Sequence, residues 1–277
     1  MNPARHTRYT QKAMIVAMVI AGLVMATPFY FLAIFATHSR AEIFSLPPPL
    51  WIGDQFWSNL AGLSQKISYL SNALLSVYIA LMSSLLTVIV SAMAGYALVY
   101  LNFKYKRMLL ALVLSLMMLP PFLSMIPTFI IMDGLRWLDE PRALYIPAAA
   151  SAFGVFLIRQ YAVNSITKDI IEAARMDGAT EWRIFMNIFI PLLMPALSVL
   201  GLISFIASWN NFSGALVVLR SSSHFTIPLA LRSLLSPVNT EWGVIMVGSL
   251  LATLPLLVIY ALFSKKIISG LTASSLK

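Results

Sequence analysis

Six long uncharged segments alternate with short polar ones along the 277-residue chain. A helix needs roughly 20 apolar residues to cross a bilayer. The segments lack the ten-residue alternation of apolar and polar positions that membrane β-strands show, so the pattern predicts helices. The fourth segment is short and contains Pro147, but counting it gives an all-α integral membrane protein of about six transmembrane helices. The segments are residues 13–36, 70–103, 108–132, 143–158, 184–219 and 242–264.

The first uncharged segment is too long for the core of a signal peptide, so we expect it to remain as a span. The segment after it contains Pro47–Pro49 and several tryptophans, which favour an ordered outer segment with one short interfacial helix. We therefore divide the chain into residues 1–67 (first helix and outer segment), 68–264 (transmembrane core) and 265–277 (tail).

Basic residues concentrate in alternate loops, and loops rich in Lys and Arg remain in the cytoplasm. With the N-terminus inside, the inner segments hold Arg5, Arg8, Lys12, Lys104, Lys106, Arg107, Arg159, Lys168, Arg175, Arg183, Lys265, Lys266 and Lys277. The outer segments hold Arg40, Lys66, Arg136, Arg142, Arg220 and Arg232. This asymmetry predicts that both termini are cytoplasmic. The net charge of +9 is therefore explained by membrane topology, and we expect lipid rather than nucleic acid as surroundings.

Several kinds of chemistry are missing from the sequence. The chain has no cysteine, which excludes disulfides and thiolate metal sites, and we expect no metal. It has no Walker-type glycine loop and no hydrolase or dinucleotide motif, so we expect neither ATP binding nor catalysis by this chain. No uncharged segment has Asp, Glu, Lys or Arg at its centre, whereas ion-coupled carriers place such groups there. Any uphill transport would therefore draw its energy from another protein.

Residues 167–191 form a polar elbow between two spans. Thr167 is a candidate N-cap, and Glu172 and another acid place negative charge near the start of the first helix. Gly178 predicts a turn, and a second helix is expected to begin near Thr180 and continue into the fifth span. Two interpretations remain open at this point. The elbow is either a mechanical lever or an amphipathic linker lying on the lipid surface.

The elbow also resembles a known family signature. Glu172, Ala173, Ala174, Gly178, Ile188 and Pro191 reproduce the EAA signature of permease subunits in binding-protein-dependent ABC importers. The chain departs from it at Ile190, usually Leu, and at Thr167, often Pro. Two further stretches, "FIASWNNF" at 205–212 and "SGLTASSLK" at 269–277, are similar to the carbohydrate branch that includes the second permease of the maltose importer.

The resemblance implies a type I ABC importer transmembrane fold in the bacterial inner membrane. In that family the EAA helix docks into a groove of a cytoplasmic ATPase dimer, which itself binds ATP and Mg²⁺. The matching positions are Glu172, Ala173, Ala174, Asp177, Gly178 and Ala179. A second, homologous permease and an extracytoplasmic sugar-binding protein are the other implied partners. The binding protein would contact the loop after the fifth span, which offers His224, Arg232 and Asn239.

Polar and aromatic groups within the spans are candidates for the translocation path: Asn72, Ser83, Ser84, Trp209, Asn210 and Asn211. Sugar sites combine hydrogen-bonding groups with an aromatic face. The same residue types also join helices to one another in membranes, and this alternative stays open for each position.

The sequence thus predicts a permease subunit for a sugar, whether a mono-, di- or oligosaccharide. An importer of the same architecture for glycerol phosphate or a polyamine is the first alternative. A phosphate ester would be expected to require Arg or Lys along the path, and none lies mid-span. A membrane-embedded enzyme or channel is the alternative from another class, but it needs reactive or ion-selective groups within the bilayer.

Overall fold

The computed structural model describes residues 3–273. Their regular secondary structure is helical, with no β-strand among them. Predictions for residues 274–277 of the tail lie outside the described residues. The described α-helices are α1 (Pro3–Phe35), α2 (Arg40–Ile43), α3 (Phe56–Lys66), α4 (Tyr69–Tyr100), α5 (Lys106–Met117), α6 (Met125–Gly134), α7 (Arg142–Ala148), α8 (Ala152–Ser165), α9 (Lys168–Met176), α10 (Glu181–Ile184), α11 (Ile190–Trp209), α12 (Phe212–Val218), α13 (Ile227–Ser233) and α14 (Trp242–Ala273).

Within residues 3–273, five helical segments are long and apolar enough to cross a membrane. They are Met14–Phe35, Tyr69–Tyr100, Arg142–Ser165, Glu181–Trp209 and Trp242–Ala261. A sixth span exists if the bent pair Lys106–Met117 and Pro121–Gly134 is counted as one. The prediction of about six helical spans is confirmed in this form.

The third uncharged segment, residues 108–132, is not one continuous helix but the bent pair of helices α5 and α6. The two halves meet at an angle of 105°. Pro120 has an extended backbone (φ −61°, ψ 130°), and Pro121 begins a single 3₁₀ turn. Neither proline has an N–H to continue the helical ladder, and a residue that precedes a proline is pushed out of the helical region.

The fifth uncharged segment also ends earlier than predicted. α11 stops at Trp209, and residues 212–218 form the separate helix α12. The side chain of Asn211 caps this new helix, because its Oδ1 accepts a hydrogen bond of 2.9 Å from the backbone N–H of Gly214. An Asn side chain that satisfies a free N–H in this way favours a helix start over a continued helix.

The described contacts divide the chain into two units. The first contains Met1–Tyr69 and Leu231–Leu254. Its outer segment is ordered, as predicted, but contains two helices, α2 and α3, instead of one. Leu63 is buried at its centre, and Lys66 forms an ion pair of 2.6 Å with Glu241. The sequence did not indicate that residues 231–254 group with the N-terminal segment. The domain boundaries drawn from the sequence remain a prediction.

The second unit contains Leu70–Ala230 and Pro255–Lys277. Its main core is built from α4, α8 and the helical span Glu181–Trp209, which includes α10 and α11. Ile158, Phe189 and Leu200 are fully buried in this core. α4 and α8 approach closely because Gly95 has no side chain: a Cβ there would lie 2.8 Å from Cγ2 of Ile158. Close approach through small residues is the common way for helices to associate in membranes. This core supports the elbow.

Candidate functional site

The turn of the elbow is a Schellman motif that ends α9. Gly178 has φ +78°, a conformation that glycine adopts freely. The N–H of Gly178 donates to the carbonyl of Arg175, and that of Ala179 donates to the carbonyl of Ala174, both at 3.0 Å. These are the two bonds that define the motif. The predicted turn at Gly178 is confirmed by this geometry.

The helices on the two sides of the turn begin differently. Thr180 caps α10, since its side chain accepts a hydrogen bond from the N–H of Arg183 at 3.4 Å. Thr167 occupies the N-cap position of α9 with an extended backbone, as predicted, but its side chain accepts no cap hydrogen bond. The start of α9 is held instead through Ile166, which is buried and whose carbonyl accepts from the Tyr100 hydroxyl at 2.9 Å.

α9 has one buried side and one exposed side. Ile171 is only 1% exposed and Ala174 packs partly against the core. Glu172, Ala173 and Asp177 are exposed, and Met176 is 88% exposed. The signature residues are therefore divided between two tasks: Ala174 and Ala179 seat the elbow on its own core, whereas Glu172, Ala173 and Asp177 face away from that core.

A polar cluster that sequence analysis missed holds the elbow in place. We call Tyr96, Tyr100, Arg175 and Glu181 the clasp. Arg175 donates from Nε to Oε1 of Glu181 at 2.7 Å and from Nη2 to the backbone carbonyl of Tyr100 at 3.0 Å. The hydroxyl of Tyr96 donates to Oε2 of Glu181 at 2.5 Å. The hydrogen bond with Glu181 raises the pKa of Arg175, because the carboxylate stabilises the charged guanidinium.

Four candidates for the path make contacts inside the second unit. Asn72 is buried and donates to two backbone carbonyls. Ser84 donates to the carbonyl of Gly201 at 2.7 Å, and Ser83 accepts from the hydroxyl of Ser208 at 3.0 Å. Trp209 is buried and stacks on a neighbouring phenylalanine. These contacts tie α4 to neighbouring segments and to α11.

The other two candidates are exposed. Asn210 donates to the carbonyl of Ile206 at 3.0 Å, one turn earlier in α11. Asn211 lines a cavity of about 570 Å³ next to the bend between α5 and α6. The cavity is mostly apolar, with polar groups from Asn211, Ser213, Ser124 and Thr128. Its size lies in the range of small-molecule sites.

The outer-loop candidates lie in separate surroundings. In the second unit, Nδ1 of His224 lies 3.4 Å from Oδ2 of Asp139. In the first unit, Arg232 is exposed, and Oδ1 of Asn239 accepts a hydrogen bond from Arg40 at 2.9 Å.

Asp139 was not among the residues predicted from the sequence. It accepts hydrogen bonds from Ser221 and from the backbone N–H of Arg220, and thereby fixes the loop that follows α12.

Within residues 3–273 the chain is thus a helical protein with five or six candidate spans and a polar elbow between two of them, the architecture of a multi-pass membrane protein. Residues 84–269 match the family described as "Binding-protein-dependent transport system inner membrane component". The chain belongs to this family, and is thus an inner-membrane protein.

Relatives of known name agree with this assignment. The chain is 39% identical over 202 residues (73% of this chain, 72% of the relative) to the arabinooligosaccharides transport system permease protein AraQ of Bacillus subtilis. It is 31% identical over 255 residues (92% of each) to the lactose transport system permease protein LacG of Rhizobium radiobacter. It is 29% identical over 269 residues (94% and 95%) to the sn-glycerol-3-phosphate transport system permease protein UgpE of Yersinia pestis.

The fold matches that of a bacterial ABC transporter involved in the import of the acidic polysaccharide alginate, with a TM-score of 0.78 and 22% sequence identity. The match covers 93% of this chain and 97% of that one. The predicted type I importer fold is confirmed.

Proposed function

We propose that this chain is one of two permease subunits of an ATP-driven importer that carries a sugar into the cytoplasm. The observation that carries the proposal is the division of α9, which buries Ile171 against the core and presents Glu172, Ala173 and Met176 outward. An exposed acidic and small-residue surface on a fixed helix suits docking to another protein better than a loose linker. The sugar is supported by the arabinooligosaccharide and lactose permeases among the relatives.

In this proposal the elbow and both termini lie in the cytoplasm. A separate ATPase dimer binds ATP and Mg²⁺ and receives α9, while this chain binds no cofactor. A sister permease completes the transport path. An extracytoplasmic sugar-binding protein meets the outer loops, where His224, Arg232 and Asn239 are the candidate contacts.

The docking role is tested by Glu172→Lys in a reconstituted complex. A charge-assisted contact that is partly buried at an interface is worth about 1.5–3 kcal/mol, or roughly ten- to a hundred-fold in affinity. We therefore expect the variant to lose most sugar-stimulated ATP hydrolysis while it still inserts into the membrane. Asp54→Lys, which changes an exposed carboxylate in the first unit, is the control and should hydrolyse ATP normally. Unchanged stimulation by Glu172→Lys would refute the docking role.

The orientation is tested by cysteine labelling, since the natural chain has no cysteine. Met176 and Val238 are 88% and 84% exposed, so Met176→Cys and Val238→Cys place single thiols in the elbow and in an outer loop. A membrane-impermeant maleimide should label Met176→Cys only in inside-out vesicles and Val238→Cys only in right-side-out vesicles. Adding the ATPase subunit should protect the first thiol. Labelling of Met176→Cys from the outside would overturn the proposed topology.

Glycerol phosphate is the second candidate substrate, because one relative is a glycerol-3-phosphate permease. The sequence argues against it, since no Arg or Lys lies mid-span to balance a phosphate. Uptake by cells that express the whole transport system separates the two. We expect competition by arabinooligosaccharides or lactose and none by sn-glycerol 3-phosphate; the reverse result would favour the alternative.

We also propose that the cavity beside the bent helix pair forms this chain's part of the sugar path. Phe122 supplies an aromatic face, and Asn211, Ser213 and Thr128 supply hydrogen-bonding groups. Apolar walls with a few placed polar groups are typical of sugar-sized sites. The buried candidates Asn72 and Ser83 and the half-buried Ser84 are better explained by helix packing, because each makes a hydrogen bond within the chain.

A further inference from the structure

The elbow is attached to α4 on both sides of α9. Before α9, the hydroxyl of Tyr100 donates to the carbonyls of Ala162 and Ile166, at 3.1 and 2.9 Å. After the turn, the hydroxyl of Tyr96 donates to Glu181 at 2.5 Å. Two tyrosines one helical turn apart on α4 therefore hold the beginning and the end of the elbow.

Arg175 connects these two attachments through α9 itself. Its Nη2 donates to the carbonyl of Tyr100 at 3.0 Å and to Oε2 of Glu181 at 3.3 Å, while Nε donates to Oε1 at 2.7 Å. Two parallel bonds between a guanidinium and a carboxylate fix both direction and distance. A lysine could not reproduce them, since an ammonium group binds as a point charge.

The tyrosine rings of the clasp are themselves held firmly. Tyr96 and Tyr100 are 5% and 6% exposed. The Tyr96 ring contacts those of Phe185 and Phe189, with centroids 5.5 and 5.1 Å apart. Such edge-to-face contacts and close packing restrict each ring to one position. The hydroxyl groups thus act as fixed points on α4.

Without the clasp, the backbone segments on either side of α9 would be flexible. Ile166 and Thr167 have extended backbones before the helix, and Gly178 follows it. Packing of Ile171 and Ala174 against the core is then the other link between α9 and the membrane helices. With the clasp intact, a force applied to the exposed side of α9 moves α4 together with the helix that follows the elbow.

We propose that Tyr96, Arg175 and Glu181 are positioning residues that transmit the displacement of α9 to α4 during the transport cycle. This inference rests on the proposed function, in which a partner ATPase pushes α9. It adds a second route into the membrane: α4 is driven through the clasp, and α11 is driven through chain continuity. Breaking the clasp should therefore uncouple ATP hydrolysis from transport without preventing docking.

The test uses Tyr96→Phe, Glu181→Gln and the double variant in the reconstituted complex. Tyr96→Phe keeps the ring and removes only the hydroxyl group. We expect the ratio of sugar transported to ATP hydrolysed to fall about ten-fold or more in each single variant, in line with the loss of a charge-assisted hydrogen bond. The ratio of the double variant should fall little below that of Glu181→Gln, because both changes act on the hydrogen bond between Tyr96 and Glu181. Tyr105→Phe, at an exposed tyrosine immediately before α5, should keep the normal ratio.

A distance measurement tests the clasp without transport. Spin labels at Met176→Cys in α9 and Met93→Cys in α4 report on how rigidly the two helices are joined, and both sites are exposed. In the assembled complex we expect a narrow distance distribution that broadens when Tyr96→Phe and Glu181→Gln are added. An unchanged distribution together with an unchanged transport ratio would overturn the clasp.

The outcomes separate this inference from the proposed function. If the unmodified complex shows no sugar-dependent ATP hydrolysis, the proposed function fails and the inference fails with it. If the unmodified complex is coupled but the clasp variants keep its ratio, only the inference fails. If the variants lower hydrolysis and transport in parallel, with loss of assembly, then the clasp serves stability alone and transmission is refuted.

Discussion

The side-chain amide nitrogen of Asn72 lies 2.8 Å from the backbone carbonyl oxygen of Phe225, although the two residues are 153 positions apart. The same amide donates to the carbonyl of Ser222 at 3.1 Å. Asn72 is 1% exposed. One buried amide group thus satisfies two carbonyls of the segment that follows α12.

We expect Asn72→Leu to lower the stability of the protein by about 1–3 kcal/mol, because the carbonyls of Ser222 and Phe225 lose the hydrogen bonds that the buried amide donates. Thermal unfolding of the purified complex, followed by tryptophan fluorescence, measures this loss. Asn164→Leu, at an exposed position near the end of α8, is the matched control and should unfold at the normal temperature. Equal stability of the two variants would show that water replaces the Asn72 amide at little cost.

Gly178 should tolerate substitution poorly for backbone reasons alone. A Cβ at Gly178 would meet nothing within 4 Å, but φ is +78°. The left-handed conformation costs an alanine about 1–2 kcal/mol. We expect Gly178→Ala to destabilise the elbow by that amount and to weaken coupling, and Gly178→Asn to do so less. Gly134→Ala provides the control, since that Cβ would also meet nothing within 4 Å and Gly134 has no positive φ. Comparable losses in coupling for both alanine variants would contradict this account.

The parts of the elbow that were predictable are those set by neighbours in the sequence. A glycine between two helical patterns indicates a left-handed turn, and Thr180 followed by an acid indicates a helix start. The clasp was not predictable, because Tyr96 and Glu181 are separated by 85 positions and no periodicity relates them. Arg175 and Glu181 lie six positions apart across a turn, which is not a helical spacing.

The bend between α5 and α6 could likewise be predicted only in part from the sequence. Pro120 and Pro121 indicate a kink from the sequence, but not its size. A kink of a few degrees would keep one span, whereas the observed 105° separates two short helices. The angle depends on what each half packs against: Met132 of α6 is buried with Ala215 and Val218 of α12. Such contacts between distant segments are absent from any local pattern.

The negative charge of Asp139 should stabilise the folded protein, and this contribution to the free energy of unfolding should be lost in acid. Partial burial alone would raise its pKa, but the hydrogen bonds from the hydroxyl and N–H of Ser221 and from the N–H of Arg220, with His224 nearby, hold the pKa at about 2. An unfolded Asp has a pKa of about 3.9. Because the folded pKa is the lower one, the stabilisation is complete above about pH 4 and is lost as the pH falls toward 2.

The measurement is the pH dependence of unfolding for the natural chain and for Asp139→Asn. We expect a constant difference in stability above about pH 4 and a shrinking difference below it. Asp133→Asn, at an exposed carboxylate of α6, should follow the natural chain throughout. A difference that stays constant down to pH 2 would mean that the charge of Asp139 contributes nothing.

Gly95 should be sensitive to the addition of a single methyl group. A Cβ there would lie 2.8 Å from Cγ2 of Ile158 and 3.3 Å from the backbone nitrogen of Arg159. We expect Gly95→Ala to force α4 and α8 apart and to cost about 1–3 kcal/mol. Gly22→Ala in α1, where a Cβ would meet nothing within 4 Å, should be neutral or slightly stabilising because alanine favours helix. The measurement is the midpoint of thermal unfolding for each variant. Equal midpoints would mean that α4 and α8 accommodate the added methyl group without cost.

The cavity beside the bent helix pair should respond to being filled. Ser213 lines it and is exposed, so Ser213→Trp places an indole in the space without removing a buried contact. If sugar passes through the cavity, we expect transport to fall at least about ten-fold, because a ligand cannot share a site of this size with an indole. Sugar uptake by proteoliposomes that contain the whole complex measures this loss.

Ser223→Trp is the matched control, since Ser223 is also exposed but does not line the cavity, and its transport should remain normal. Normal transport by Ser213→Trp would exclude the cavity from the path. Failure of Ser213→Trp to assemble with the sister permease would give a different answer: the cavity would then receive a side chain of that subunit. The sugar would in that case be bound elsewhere, because a cavity occupied by a neighbouring subunit has no room for cargo.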